Sequence, residues 1–263
     1  MTNNCVDFQK EGPLATITLN RPDVLNAISE ELLGALIDAL EKCGEDNAVR
    51  VVILTGDKAF CAGGDVKAMK AGLAAGDPGR FLRGIIPGLH ATIAKIRRLS
   101  KPVVAAVNGI AAGGGASIAL ACDLRIAAQK ARFAQSFVNI GLSCEGGGSY
   151  FLPRLLGLSK ATELLFLGEA IDARQAEALG LVYKVVPDAE VMTAARELAL
   201  KLAAKPTFAI GRIKSLLNQA FDQDLMAQLE AEGQDILACG RRADFREGIT
   251  AFIEKRTPQF EGR

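Results

Sequence analysis

The sequence predicts an α/β fold. Two apolar strand patterns, VRVVILTG (49–56) and PVVAAVNG (102–109), each run into a glycine-bearing loop and then a helical pattern. A third strand pattern at 123–127 follows the second helix, so the strand–helix alternation repeats.

PLATITLN (13–20) reads as a short strand, and Arg21-Pro22-Asp23 as the turn after it. Ser29 is placed to cap a helix whose apolar face is Leu32, Leu33, Leu36, Ile37 and Leu40, with Gly44 as its stop. The strand at 49–56 leads into Phe60-Cys61-Ala62-Gly63-Gly64-Asp65. Residues 67–80 are small, polar and glycine-bearing, the pattern of a weak helix or a mobile loop, whereas 81–99 has helical periodicity. Pro102 opens the next strand, and Gly113-Gly114-Gly115 starts a helix of small residues through Ala121. Residues 141–148 form a glycine-rich irregular loop. Ser159, Asp172 and Gly180 then punctuate helical segments before a strand at 181–186. From 189 to 254 the pattern is mostly helical, broken at Pro206. This divides the chain into a core, 1–188, and a helical region, 189–263. No low-complexity linker separates them, so they read as one functional unit.

Composition narrows the function classes. The chain has 263 residues, 49% hydrophobic and 23% charged, enough for one large core with an annex. A net charge of +1 gives no basis for a nucleic-acid or membrane-surface partner. No apolar run approaches the ~18 residues of a membrane span, and the opening MTNNCVDFQK has no apolar leader. The six cysteines lack CxxC spacing and read as reduced thiols in a cytoplasmic protein. With His90 the sole histidine, a multi-histidine metal site is excluded, and a Ser–His–Asp triad would have to use it.

The two glycine loops are where chemistry could sit. Ala62-Gly63-Gly64-Asp65 and Gly113-Gly114-Gly115 can present bare backbone N–H groups, because no Cβ blocks an approaching ligand. The second lies at a helix N-terminus, which favours negative charge. Two such N–H groups converging on one oxygen form an oxyanion hole, where each donor can contribute ~3 kcal/mol. Such turns also serve as packing devices, and the local pattern leaves both readings open. GIAAGGG lacks the GxGxxG order, and no GxxxxGK[ST] occurs, so a nucleotide cradle is a poor reading.

The segment KPVVAAVNGIAAGGGASIALACDLRIAAQKARFAQSF (101–137) resembles the signature region of the crotonase (enoyl-CoA hydratase/isomerase) superfamily. RPDVLNAIS (21–29), AFCAGGDVKAM (59–69), GLVYKVVP (180–187) and AFIEKRTPQF (251–260) resemble other blocks of that family, in the same order. The resemblance implies a crotonase-like spiral of ββα units with a C-terminal helical trimerisation region, hence a homotrimer or a dimer of trimers. It implies an acyl-CoA thioester as substrate, with coenzyme A part of that substrate and no separate cofactor. The oxyanion hole would come from the N–H groups of Gly64 and Gly114. Contacts to coenzyme A would come from Val24, Leu25, Ala27, Ala62, Asp65 and Val66. Lys255 resembles a lysine that meets the coenzyme A 3′-phosphate of a neighbouring subunit.

Departures from the family pattern bear on the reaction. Hydratases of this family hold one water between two glutamates, and the matching positions here are Ser117 and Phe137. Neither can deprotonate water. Glu145, in GLSCEGGG, stands where the Δ3,Δ2-enoyl-CoA isomerases and the ring-opening or epoxide-type isomerases of the family carry a lone proton-shuttling Glu or Asp, the Glu form resembling the Δ3,Δ2 isomerases. Phe137, Leu142 and Phe151 are its expected apolar neighbours. The expected reaction is therefore a double-bond shift in an enoyl-CoA, with Glu145 as shuttle. The alternatives are a hydratase or other lyase or hydrolase using unorthodox groups, and an acyl-CoA-binding relative without activity. A histidine near position 90 also occurs in the 4-chlorobenzoyl-CoA dehalogenase branch, but that branch carries Asp and Trp where Glu145 and Phe137 stand. His90 is expected to lack a partner and to be dispensable, Cys144 to be inert, and Asp65 and Asp123 to hold turns.

Overall fold

A computed structural model of the chain describes residues 5–262; residues 1–4 and 263, within the ranges 1–188 and 189–263, lie outside the described residues. The chain opens with an antiparallel hairpin, β1 (Val6–Glu11) and β2 (Leu14–Leu19). Helix α1 (Glu30–Glu45) starts where the Ser29 hydroxyl accepts the Leu32 N–H at 3.2 Å. Strand β3 (Val51–Gly56) is followed by α2 (Val66–Ala74) and α3 (Arg80–Arg98). Then come β4 (Val103–Val107), β5 (Ile110–Ala112), α4 (Gly114–Ala121), β6 (Leu124–Ala128) and β7 (Arg132–Ala134). Helices α5 (Gly148–Leu156) and α6 (Leu158–Leu167) precede β8 (Ala170–Asp172), α7 (Ala173–Ala178) and β9 (Lys184–Val186). Four helices complete the chain: α8 (Val191–Ala203), α9 (Thr207–Gln219), α10 (Leu225–Gly240) and α11 (Ala243–Ile253).

The main sheet has the order β1-β2-β3-β4-β6-β9, parallel throughout except for the β1–β2 hairpin. A smaller sheet, β5-β7-β8, stands beside it. The central strands are buried on both faces, and alternation divides their side chains between two cores. Val52, Leu54, Val103, Ala105 and Val107 join α1, α3 and α4 on one side. Val51, Ile53, Val104 and Ala106 face Val191, Ala195, Ala199 and Ala203, the four-residue stripe of α8, on the other. Helix α4 is buried along its whole length, which is why its residues are small.

Three elements differ from the sequence expectation. The stretch 67–80 contains a helix, α2, because the buried carboxylate of Asp65 accepts the N–H groups of Lys67 and Ala68 and caps it. Strand β1 is polar and largely exposed, so it carries no apolar signal; its pairing with β2 makes it a strand. The three-residue strands of the small sheet are too short to show a period. Among the described residues, no helix is long and apolar enough to cross a membrane.

Helix α9 is tied to the core by a buried ion pair. The Lys214 ammonium donates to Asp123 at 2.7 Å and to the carbonyls of Ile96 and Lys101 at 2.8 and 3.2 Å. Asp123 also accepts the Val103 N–H at 2.8 Å and one Arg97 N–H at 3.2 Å. Burial lowers the Lys214 pKa, and the Asp123 carboxylate works against that shift. Removing one partner leaves the other charge buried and unpaired. Asp123→Ala is expected to lower the unfolding free energy by about 3–5 kcal/mol, measured by urea titration followed by circular dichroism.

Candidate active site

The two glycine loops meet through backbone pairing. Cys61 N–H donates to the Ile110 carbonyl and Ala112 N–H to the Cys61 carbonyl, both at 2.9 Å, so the first loop forms a parallel bridge to β5. A second bridge pairs Ile28 with Gly64: Ile28 N–H donates to Gly63 at 2.7 Å and Asp65 N–H to Ile28 at 3.3 Å. In such a bridge the peptide groups flanking Gly64 are used, while its own N–H points the other way. On the second loop, Gly113 N–H is taken by the Ala134 carbonyl at 2.8 Å. Gly114 is the first residue of α4, so its N–H is one of the helix's orphan donors.

Gly64 and Gly114 line one apolar cavity of about 300 Å³. Its wall includes Ile28, Met69, Phe137 and Leu142, together with Leu82, Ile85, Ile86 and Leu89 of α3. Ala62 and Val66 line it too. Among the described residues, Glu145 is the one carboxylate in this lining. A Cβ on Gly114 would lie 2.6 Å from Ile28 Cδ1, and one on Gly64 2.5 Å from Met69 Cε, so either would push a side-chain tip of the cavity wall aside.

Ser117 is buried beneath this site, and its hydroxyl donates to the Glu145 carbonyl at 2.8 Å. Gly146 follows at φ +69°, and a Cβ there would lie 2.8 Å from Ser117 Cβ. Gly147, also left-handed, completes the turn into α5. The loop that carries Glu145 is therefore seated directly on Ser117.

The remaining predicted positions fall around the rim. Leu25 (φ 51°) and Asn26 (φ 57°) form a left-handed turn after Val24, and the Leu25 carbonyl accepts the Ala62 N–H at 3.0 Å. Asn26 fixes that turn by donating to the carbonyls of Asp57 at 2.9 Å and Ala59 at 2.6 Å. Arg21 donates to the Ala27 carbonyl and to the Asp65 carboxylate, at 2.5 and 3.0 Å. Burial opposes the charge on Asp65, but the hydrogen bonds from Arg21, Ala68 and Lys67 outweigh it and hold its carboxyl below the ordinary value. Asp65 thus caps α2 and pairs with Arg21, while Asn26 holds the neighbouring turn. Lys255 is exposed beyond α11 and is not in the cavity lining.

The expectation that His90 lacks a partner is overturned. Its Nε2 lies 2.5 Å from Glu145 Oε1, an ion-pair distance, although no aligned hydrogen bond reaches that oxygen. The contact spans 55 residues of sequence, so only folding brings the two together. The thiols offer no rival chemistry: burial pushes Cys61 up to about 12, and Cys144 is partly buried outside the cavity lining. A larger cleft of about 620 Å³ lies between the core and α9, lined by Arg50, Arg97, Lys101 and Lys214. Of the cations in its lining, Arg50 and Lys101 are engaged by backbone carbonyls, Arg97 and Lys214 by Asp123 and Arg212 by Asp235, while Arg98 is exposed.

Comparison with known proteins places the chain in a family. The model of the enoyl-CoA hydratase/isomerase family matches residues 9–263. The 1,2-epoxyphenylacetyl-CoA isomerase of Escherichia coli is 39% identical over 96% of this chain and 97% of its own. The short-chain-enoyl-CoA hydratase of Clostridium acetobutylicum is 38% identical over 97% of each chain. The crystal structure of an enoyl-CoA hydratase from Bacillus anthracis superposes with a TM-score of 0.92 at 36% identity, covering 98% of this chain and 100% of that one. With nearly full-length likeness in both sequence and backbone, this chain belongs to the enoyl-CoA hydratase/isomerase family and has the crotonase fold.

Proposed function

We propose that this protein is an acyl-CoA isomerase that shifts a double bond through a thioester enolate, with Glu145 as its proton shuttle. The thioester carbonyl sits between the N–H groups of Gly64 and Gly114. Those donors are aimed where negative charge develops as the C2 proton leaves. Glu145 takes that proton and returns it at C4, converting a 3-enoyl-CoA to the 2-enoyl form. The observation that carries this reading is the lone carboxylate in the cavity lining, facing a wall of Phe137, Leu142 and Leu89. One carboxylate can serve two neighbouring carbons, while hydration needs a second group to hold the attacking water. Ser117 spends its hydroxyl on the Glu145 carbonyl, and Phe137 has no group to offer.

The relatives named as hydratases favour a second reading, water addition with Glu145 as the single acid–base group. A third, an acyl-CoA-binding protein without turnover, is separated from both by product analysis with a panel of acyl-CoA thioesters. For coenzyme A, the rim at Val24, Leu25, Ala27, Ala62, Asp65 and Val66 supplies main-chain contacts, with Lys255 meeting a phosphate across a subunit boundary. We also propose a homotrimer or dimer of trimers. Its support is the apolar surface on the C-terminal helices, where Leu217, Phe221, Met226, Ile236 and Phe252 are all more than half exposed.

Glu145→Gln keeps the shape and removes the base. We expect kcat for a 3-enoyl-CoA to fall about 10²–10⁴-fold with little change in KM, while the wild type hydrates a 2-enoyl-CoA poorly. Rapid hydration by the wild type, or an active Glu145→Gln, would reject the isomerase reading. Gly114→Pro removes one oxyanion donor and should abolish turnover in a folded protein. Light scattering at micromolar concentration should give the mass of three or six chains; a monomer would refute the assembly.

A further inference from the structure

Glu145 has a neighbour that stands outside the cavity wall. His90 follows Leu89 on α3; the Leu89 side chain lines the cavity, and that of His90 does not. The His90 side chain is 63% exposed and that of Glu145 23%, with Nε2 2.5 Å from Oε1. Oε1 itself is buried, so the exposed remainder of the carboxylate side chain lies elsewhere than at His90. The cavity lining next to Glu145 is mostly apolar. One carboxylate oxygen therefore abuts an imidazole that reaches bulk water, while the residue also borders an apolar cavity.

We propose that His90 is the route by which Glu145 exchanges protons with solvent, a positioning residue that acts through the carboxylate and does not touch the substrate. This rests on the reading of Glu145 as proton shuttle. In the first step the carboxylate forms an O–H bond with the C2 proton, and the C–H electron pair passes into the enolate. The resulting carboxylic acid has two outlets. It can give the proton to C4, with the dienolate electrons forming the C4–H bond and the C2–C3 double bond. Alternatively it can give the proton to neutral Nε2, leaving a carboxylate beside an imidazolium. The exposed imidazolium loses that Nε2 proton to water, takes a solvent proton at the same nitrogen, and passes it to the carboxylate, so that a solvent proton comes back to Glu145. Isomerisation needs only the first outlet, and exchange needs the second. The contact with His90 accordingly sets how much of the substrate's own hydrogen survives in the product.

The test uses the whole protein in D2O. One arm follows isomerisation of a 3-enoyl-CoA and the deuterium content of the product; the other follows exchange of the C2 hydrogens of butyryl-CoA by mass spectrometry. The wild type should incorporate deuterium in both. His90→Ala and His90→Gln should keep isomerisation within a few-fold yet incorporate deuterium at least about tenfold less, and free imidazole should restore exchange in His90→Ala. Undiminished exchange in both variants would overturn the proposal, as would a wild type that incorporates none. So would a joint loss of isomerisation and exchange that imidazole does not repair, since His90 would then only prop the carboxylate. Glu145→Gln separates the two readings. If it isomerises like the wild type, the shuttle falls. If butyryl-CoA exchange requires both Glu145 and His90, the proton route stands even when no 3-enoyl-CoA is turned over.

Discussion

Everything at this site depends on how closely two loop backbones approach each other. The bridge between Cys61 and Ala111 brings the first glycine loop against the N-terminus of α4. There is no room for side chains in between: a Cβ on Gly115 would lie 2.3 Å from the Cys61 carbonyl oxygen, and one on Gly63 2.9 Å from that of Ala112. Contacts this tight leave little freedom to reorient. The N–H groups of Gly64 and Gly114 are therefore held in fixed positions on these loops. The parallel sheet beneath, buried on both faces, keeps the loops in register.

A layer of polar side chains holds the rim to this frame. Asn26 ties the left-handed turn to the carbonyls of Asp57 and Ala59, and Arg21 links Ala27 to Asp65. Asp65 then caps α2, and α2 supplies Val66 and Met69 to the cavity wall. One ion pair thus joins the turn at Arg21 to the N-terminus of the helix that closes one side of the cavity. It is largely shielded from water, so it acts as a structural clasp with its polar groups satisfied.

Ser117 shows how a small change redirects a site. Its side chain is short enough for Gly146 to pack against it, and its hydroxyl seats the carbonyl of Glu145. The carboxylate in the cavity comes from this loop instead of from α4, and the neighbouring wall at Phe137 is apolar. The consequence is one carboxylate in a mostly apolar cavity, with the exposed His90 ring beside it.

The α/β class, the strand–glycine-loop–helix units, the cap at Ser29 and the break at Pro206 are legible along the chain. Each of these follows from local chemistry: burial periodicity, side chains that cap, residues that cannot continue a helix. Family motifs singled out Gly64, Gly114 and Glu145, because a bare N–H or a lone carboxylate stands out against its neighbours. Other features were decided only by tertiary structure. Strand β1 has no apolar signal of its own and exists because β2 offers it a partner. Asp123 reads as a turn residue in the sequence, yet the fold makes it the counter-charge of Lys214, 91 positions away. The apolar wall from α3 is visible as a helical period, but the period does not say that it faces the two glycine loops. His90 looks like an isolated helix histidine because nothing nearby in sequence can pair with it. Folding α3 against the loop after Ile140 sets its ring beside Glu145, and a contact made across that distance in the chain leaves no local trace.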